Sequence, residues 1–224
     1  MTFTRIGGLA ALTCAGTYLF GFALLVTLLA PLGYGTAGID PDAVTAFIDA
    51  RPGVMIVWNT VIYVVNALAL SVLVVVFAAQ LVSLPSWAAV TQAIGLIWAA
   101  LVLGAGMIAN VAVEQAAHIY PTDPQAAADL WFMLHHVELG LGGGNEIAGG
   151  VWIACVSVAT GIAGRLPRIV NALGLLTGLG GLLTVVPALG ETAGSVFGLG
   201  AIVWFLAVGA ILLLARAEPV PEGS

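Results

Sequence analysis

Residues 134–150 read LHHVELGLGGGNEIAGG, with two histidines, two glutamates and an asparagine set among apolar residues. Imidazole and carboxylate together suit zinc, iron or copper. His135 and Glu138 have the i, i+3 spacing that puts two ligands on one helical face. The same pair could instead hold and pass protons, as intramembrane acids and histidines do in pumps and transporters. On a wheel of about 100° per residue with His135 at zero, Glu138 falls near 300°, Gly142 near 340°, Asn145 near 280°, Glu146 near 20° and Gly149 near 320°. One face of the helix therefore carries acid, imidazole and amide with glycine between them. His136 stands about 100° away, so the two histidines do not enter one pocket.

Two more stripes match this one. Asn110, Glu114 and His118 recur at i, i+4, i+8, which stacks them on one face, and Asn59, Tyr63 and Asn66 are spaced for a single face of an earlier helix. If the chain folds back about the middle of residues 119–129, positions summing to about 248 lie level, since the rise per residue is constant. Glu114 then meets His135, and Asn110 meets Glu138. The same register sets Gly104 and Gly106 against Gly142 to Gly144, a close glycine contact with a pocket opening above it. The expected ligand-binding set is His135, Glu138, Asn145, Glu146, Glu114, Asn110, Asn59, Tyr63 and Asn66. Within it a transition metal ion would take His135, Glu138 and Glu114, with His118 beside them. Haem fits less well, because the register brings neither His118 nor His136 opposite His135.

What must position these groups is a membrane bundle. The chain has 224 residues, 61% hydrophobic and 7% charged, against about 25% charged in globular domains, which excludes an ordinary soluble domain. No nucleic-acid partner is expected of so acidic and apolar a chain; the partner its composition implies is the lipid bilayer. A hydrocarbon core of about 30 Å needs about 20 apolar helical residues, and six runs qualify, near 6–30, 54–82, 89–117, 128–160, 168–187 and 194–215. The fold class is therefore all-α, a polytopic integral membrane protein with a compact bundle of six transmembrane helices. One membrane domain covers 1–216, and the polar, proline-rich 217–224 reads as a disordered cytoplasmic tail. The first apolar run is too long for a signal peptide. There is no lysine, which excludes chemistry built on a lysine Schiff base.

Arg5, Arg165, Arg168 and Arg216 fall at the end of the bundle that holds the termini, and only Arg51 falls opposite. The positive-inside tendency then puts both termini in the cytoplasm and the protein in the inner membrane of the cell. The acids Asp40, Asp42, Asp49, Glu114, Asp123, Asp129 and Glu191 gather at the outer ends. In the first outer loop, Asp40 caps and Pro41 opens a short amphipathic helix with Val44, Phe47 and Ile48 on its apolar side, filling the gap between the first two spans. Cys14 and Cys155 are expected to be small packing residues. Gly140 and Gly144, Gly174 and Gly178, and Gly194 and Gly198 are small-xxx-small pairs, surfaces for packing within the bundle, for a second copy or for partners in a membrane complex.

An ionised acid at a helix centre costs about 2.5–3.5 kcal/mol on insertion. Glu138 and Glu146 must therefore be protonated, paired or facing water, and amides or hydroxyls would fix helix register more cheaply. Three functions follow: a metal or small-ligand site opening to the outer side, a proton-linked small-solute transporter, or an accessory subunit in which the stripe only fixes packing. No internal repeat supports the transporter.

The segment GRLPRIVNALGLLTGLGGLLTVVPAL, 164–189, resembles the second half of an uncharacterised bacterial six-helix family, the domain of unknown function numbered 4386. There, too, a short basic turn, here Leu166, Pro167 and Arg168, leads into a glycine-rich fifth helix. The resemblance implies a six-helix membrane fold and carries over no catalytic residue.

Overall fold

The computed structural model describes residues 2–36, 38–143 and 146–215, and these are all helix and connection, with no strand among them. Prolines and small polar caps set most helix starts, because a proline at the first turn loses no hydrogen bond. Thr2 caps α1 (Phe3–Leu24), and Asp40 caps α2 (Pro41–Ala50) by accepting from the backbone N–H groups of Asp42 and Ala43. Pro52 opens α3 (Pro52–Asn59), which runs through a π turn at Thr60–Val65 into α4 (Asn66–Gln80). Pro85 opens α5 (Pro85–Ile119), and Asp123 with Pro124 starts α6 (Pro124–Glu138). After a π turn at Leu139–Gly143 come α7 (Ile147–Ile162), α8 (Arg168–Leu183) and α9 (Gly190–Leu214).

The helices close a ring in the order α1, α4, α5, α7, α8, α9, with α9 back against α1. Trp98, Trp152, Trp204, Phe77, Phe197 and Phe205 fill its centre and are fully buried. A second apolar cluster caps the opposite end from the termini: Leu29, Val44, Ile48, Met55, Trp58, Val113 and Trp131 pack there with alanines of α5 and α6. The expected amphipathic helix is α2, with Val44 and Ile48 buried, but it lies on α6 and α5 rather than in the gap between the first two spans. The first turns of α1 meet the last of α9 at Gly8 and Leu213, so both described chain ends sit at one end of the bundle, its terminal end.

Among the described residues, five helical segments are long and apolar enough to cross a membrane: Phe3–Leu32, Pro52–Gln80, Pro85–Ile119, Pro124–Ile162 and Pro187–Leu214. The expected fifth span, 168–187, is shorter. Helix α8 stops at Leu183 after 16 residues, about 24 Å at a rise of about 1.5 Å per residue. Pro187, which cannot continue a helix, comes soon after and starts a 3-10 turn over Pro187–Leu189. Helix α5, with 35 residues, reaches about 52 Å. The bundle thus has two heights, low over α7 and α8 and tall over α5 and the elements beside it.

Of the expected glycine pairs, Gly174 and Gly178 pack. A Cβ on Gly178 would stand 2.7 Å from the Gly150 carbonyl oxygen, and one on Gly174 would overlap Ser157. Gly140, Gly194 and Gly198 have nothing within 4 Å of that position. Gly144 lies outside the described residues, as do Asn145 and the tail 217–224.

Candidate functional site

Glu138 ends α6 and is the centre of the site. Its carboxylate lies three residues after His135, and His135 Nδ1 meets its Oε2 at 2.9 Å. Its other oxygen, Oε1, accepts from the Tyr63 hydroxyl, which reaches it from the second span. A single proton is shared between Nδ1 and Oε2, and Nε2 is the imidazole nitrogen left over. Nε2 makes no hydrogen bond to a described residue. Glu138 is 4% exposed and His135 9%.

The backbone leaves α geometry where these groups meet. Tyr63 sits inside the π turn Thr60–Val65, and Glu138 directly precedes the π turn Leu139–Gly143, where Gly142 has φ 147°. Such i→i+5 turns shift the side-chain register of the residues after them and occur often at functional sites. Helix α5 makes room at Gly106, where a Cβ would stand closer than 3.0 Å to Tyr63 Cβ. The expected touching of Gly104 and Gly106 with Gly142 does not occur, and Gly144 lies outside the described residues: Gly106 faces Tyr63, Gly104 faces open space, and a Cβ at Gly142 would lie 3.9 Å from Leu101 and Val102.

Aromatic rings wall the imidazole. Trp131, one turn earlier on α6, is stacked on His135 at 4.9 Å between centroids and 12° between planes. Tyr34 lies against it at 5.5 Å and 59° and touches Trp131 and Trp58 as well. Trp58 is pinned by donating Nε1–H to the Gly21 carbonyl oxygen at 3.1 Å. Tyr34 stays a neutral phenol, since burial, and after it the Glu138 charge, push its pKa well above the ordinary value. Sequence reasoning missed Tyr34, Trp58 and Trp131. The signals were an aromatic four residues before a histidine and a tyrosine held between two glycines in PLGYG.

The expected stripes come apart. Asn66 turns to α1 and donates to Thr17 Oγ1 at 2.7 Å and to the Cys14 carbonyl oxygen at 3.4 Å. Asn110 donates to Thr60 Oγ1 at 3.0 Å, and its Oδ1 is buried with no partner. Asn59 is buried on the turn before the π segment. Cys14 is buried and Cys155 half-buried, both free thiols. Glu146 is half-buried below the break in the fourth span, with its N–H donating to Thr184 Oγ1 at 3.3 Å. The π turn and Gly142 break the helical face between it and Glu138, yet its charge acts on the hydroxyl of Tyr63, which Glu138 holds, and on that of Tyr18, so both acids stand near Tyr63.

Glu114 and His118 are exposed, in contrast to the buried His135 and Glu138. Residues four apart advance by about 40° on a helix with 3.6 residues per turn. From Asn110 the stripe thus rotates off the packed side of α5, whose buried set is Ala105, Ala109, Ala112, Val113 and Ala116. His136 is also exposed, with Nδ1 donating to the Phe132 carbonyl oxygen at 2.8 Å. The four expected metal ligands are therefore not gathered, and no group of three His, Cys, Asp or Glu suited to a metal occurs among the described residues. Both Glu138 oxygens and His135 Nδ1 are already engaged, and the site closes on itself. No second histidine is buried with His135 to make a haem pair.

What the arrangement can do chemically is exchange a proton. A carboxylate that fixes the imidazole tautomer through Nδ1 leaves Nε2 as the working nitrogen, the logic by which an acid orients a histidine general base. The chain matches no protein-family model, no curated protein and no solved structure.

Proposed function

We propose that this multi-pass helical membrane protein binds a small polar ligand, with proton exchange, at His135 Nε2 in the half of the bundle away from the termini. The observation that carries this reading is Glu138, whose two oxygens are held at once by His135 and by Tyr63 from another span. A device that only fixed register would need no ionisable pair, because an amide pair does so at less desolvation cost.

Depth supports the reading. Trp87, near the start of α5, fits the aromatic belt at a membrane surface. From Pro85 to Gly106, which faces Tyr63, α5 rises about 32 Å. A hydrocarbon slab of about 30 Å placed against the terminal end therefore finishes near the level of Glu138. We place the site at that edge, roofed by α2 and the aromatic cluster. With α8 and the irregular Thr184–Val186 counted as a sixth, thinner crossing, Arg5, Arg165 and Arg168 fall on the cytoplasmic side and the site faces outward. The six-helix family resembled at 164–189 implies the same number of crossings. Net proton-linked transport is the stronger form of the proposal; ligand binding at a proton-exchanging dyad is the form the geometry carries.

The test uses the three histidines of the chain. With His118 and His136 changed to Gln, His135 is the sole imidazole, and its ring signals can be followed by NMR against pH in detergent micelles. The proposal expects the ring signals to respond to pH, and the response to be altered in Glu138→Gln. A His135 whose signals ignore pH, or respond to it identically in Glu138→Gln, returns the site to a structural role.

A further inference from the structure

We propose, on the reading that His135 Nε2 is the working atom of the site, that Asn59 is its recognition residue and that the two side chains hold one ammonium ion between them. Asn59 is 2% exposed, and its carboxamide makes no hydrogen bond to a described residue. That group has two donor hydrogens and an acceptor oxygen, and the large majority of buried polar side chains are paired. Packing between helices does not require an unpaired amide: Asn66 and Asn110 both donate to threonines of a neighbouring helix.

Position supplies the partner. The second span and α6 run side by side in the same direction, joined at two levels. At the upper one Met55 and Trp131 are buried in the same apolar cluster. At the lower one the Tyr63 hydroxyl donates to Glu138. Asn59 lies four residues after Met55 and four before Tyr63, on the face those residues share. His135 lies four residues after Trp131, which is stacked on it, and three before Glu138, which it meets at 2.9 Å. Asn59 and His135 therefore make the level between, about 6 Å or less from each of the other two at a rise of about 1.5 Å per residue. Each brings to it a group with no partner, the Asn59 carboxamide and His135 Nε2, and they do not bond to one another. A ligand that hydrogen-bonds to both completes the level.

Size and charge choose the ligand. The levels above and below are packed side chains, so the ligand is about as small as one water. In the state that binds it, the shared proton lies on Nδ1, and both Nε2 and the Asn59 carbonyl oxygen accept. The Glu138 carboxylate then adds a negative charge one level away, and the one described arginine in that half of the bundle, Arg51, is exposed and stacked on Phe47. A water-sized cation that carries N–H donors meets all of these conditions. A metal ion does not, since no group of three His, Cys, Asp or Glu suited to one occurs among the described residues.

In the protein with His118→Gln and His136→Gln, the His135 ring signals are followed by NMR at constant pH and ionic strength while ammonium chloride replaces potassium chloride. Ammonium should shift them saturably against potassium, a cation of similar size with no N–H group. Methylammonium should bind less tightly than ammonium, because the level has no room for its methyl group. Asn59→Leu should weaken ammonium binding at least about tenfold, the loss expected when a hydrogen bond to a charged group is removed. The measurement on the protein with Asn59 intact stands even if Asn59→Leu fails to fold. Three results overturn the proposal: no saturable shift with ammonium, an equal affinity in Asn59→Leu, or methylammonium bound at least as tightly as ammonium, which would give the site to the amine of a larger molecule. The pH response of His135 and its change in Glu138→Gln are read without ammonium, so the failure of the ammonium site and the failure of the proton site are separate outcomes.

Discussion

Gly106→Ala should damage the site from behind, and Gly104→Ala on the same helix should not. A Cβ at Gly106 would stand closer than 3.0 Å to Tyr63 Cβ and 3.4 Å from Val64 Cγ2, whereas a Cβ at Gly104 meets nothing within 4 Å. Tyr63 Cβ is fixed to its backbone, so no rotamer change relieves the overlap. The π turn that carries it must retreat from α5. Overpacking of this kind costs about 1–3 kcal/mol, and drawing the phenol away from the Glu138 carboxylate removes a hydrogen bond to a charged group, worth about 1.5–3 kcal/mol. Replacing a helical glycine by alanine returns about 1 kcal/mol. The net for Gly106→Ala is a loss of about 0.3–2 kcal/mol if half of the combined cost is relaxed away, while Gly104→Ala gains up to about 1 kcal/mol. Reversible unfolding of the two variants in mixed micelles, followed by helical circular dichroism, measures the difference. The NMR titration of His135 should change in Gly106→Ala and stay as in the parent in Gly104→Ala. Equal stability in the two variants, with identical His135 titrations, would refute the claim that α5 glycine geometry sets the Tyr63 position.

Two further predictions bear on packing and on the metal reading. Gly178→Ala forces a Cβ to 2.7 Å from the Gly150 carbonyl oxygen and 2.8 Å from Ala154 Cβ, so it should lower stability by about 1–3 kcal/mol, while Gly194→Ala, with open space at its Cβ, should lower it not at all; thermal unfolding in detergent separates them. Glu114→Gln and His118→Gln, each at an exposed position, should change stability by no more than about 0.5 kcal/mol and leave the metal content of the purified protein the same, and a metal lost from either variant would restore a ligand role to α5.

The helical class, the starts at Asp40 and Pro41 and at Asp123 and Pro124, and the i, i+3 contact of His135 with Glu138 were legible in the sequence because each depends on residues within one turn of each other. Tyr63 does meet Glu138. Asn66 does not join them, because the stripe was drawn on an unbroken α-helix. The π turn at Thr60–Val65 rotates everything after it and sends Asn66 to Thr17 and Cys14. The same assumption ran one helical face from Glu138 to Glu146; the π turn with Gly142 breaks that face, and Tyr63 is what still lies near both acids. On α5 the helix is unbroken, and the misplacement of Glu114 and His118 came from treating an i+4 repeat as a straight line. The 40° drift per step is enough to carry the second residue out of the interface. The aromatic roof was invisible for another reason: Tyr34, Trp58 and Trp131 come from three separate elements, and no local pattern joins them.

The two heights of the bundle change the energetic argument for the site. Judged by hydropathy alone, His135 and Glu138 lie deep in a span, where each charge costs about 2.5–3.5 kcal/mol and must be justified by function. On the membrane placement proposed above, the α5 register puts them about 32 Å from Pro85, level with the edge of the hydrocarbon, where lipid no longer sets the cost. What desolvates them is protein: α2 lying over α6, the Trp131 face, the Tyr34 ring and Met55 with Trp58 beneath. Asp40 and Asp123, in the connections beside this roof, and Asp42, in the first turn of α2, favour cations over anions in the solvent that approaches it. On the proposed placement the dyad is kept dry by packed side chains, which substitution can thin one at a time, rather than by lipid, which only the movement of a whole helix could replace.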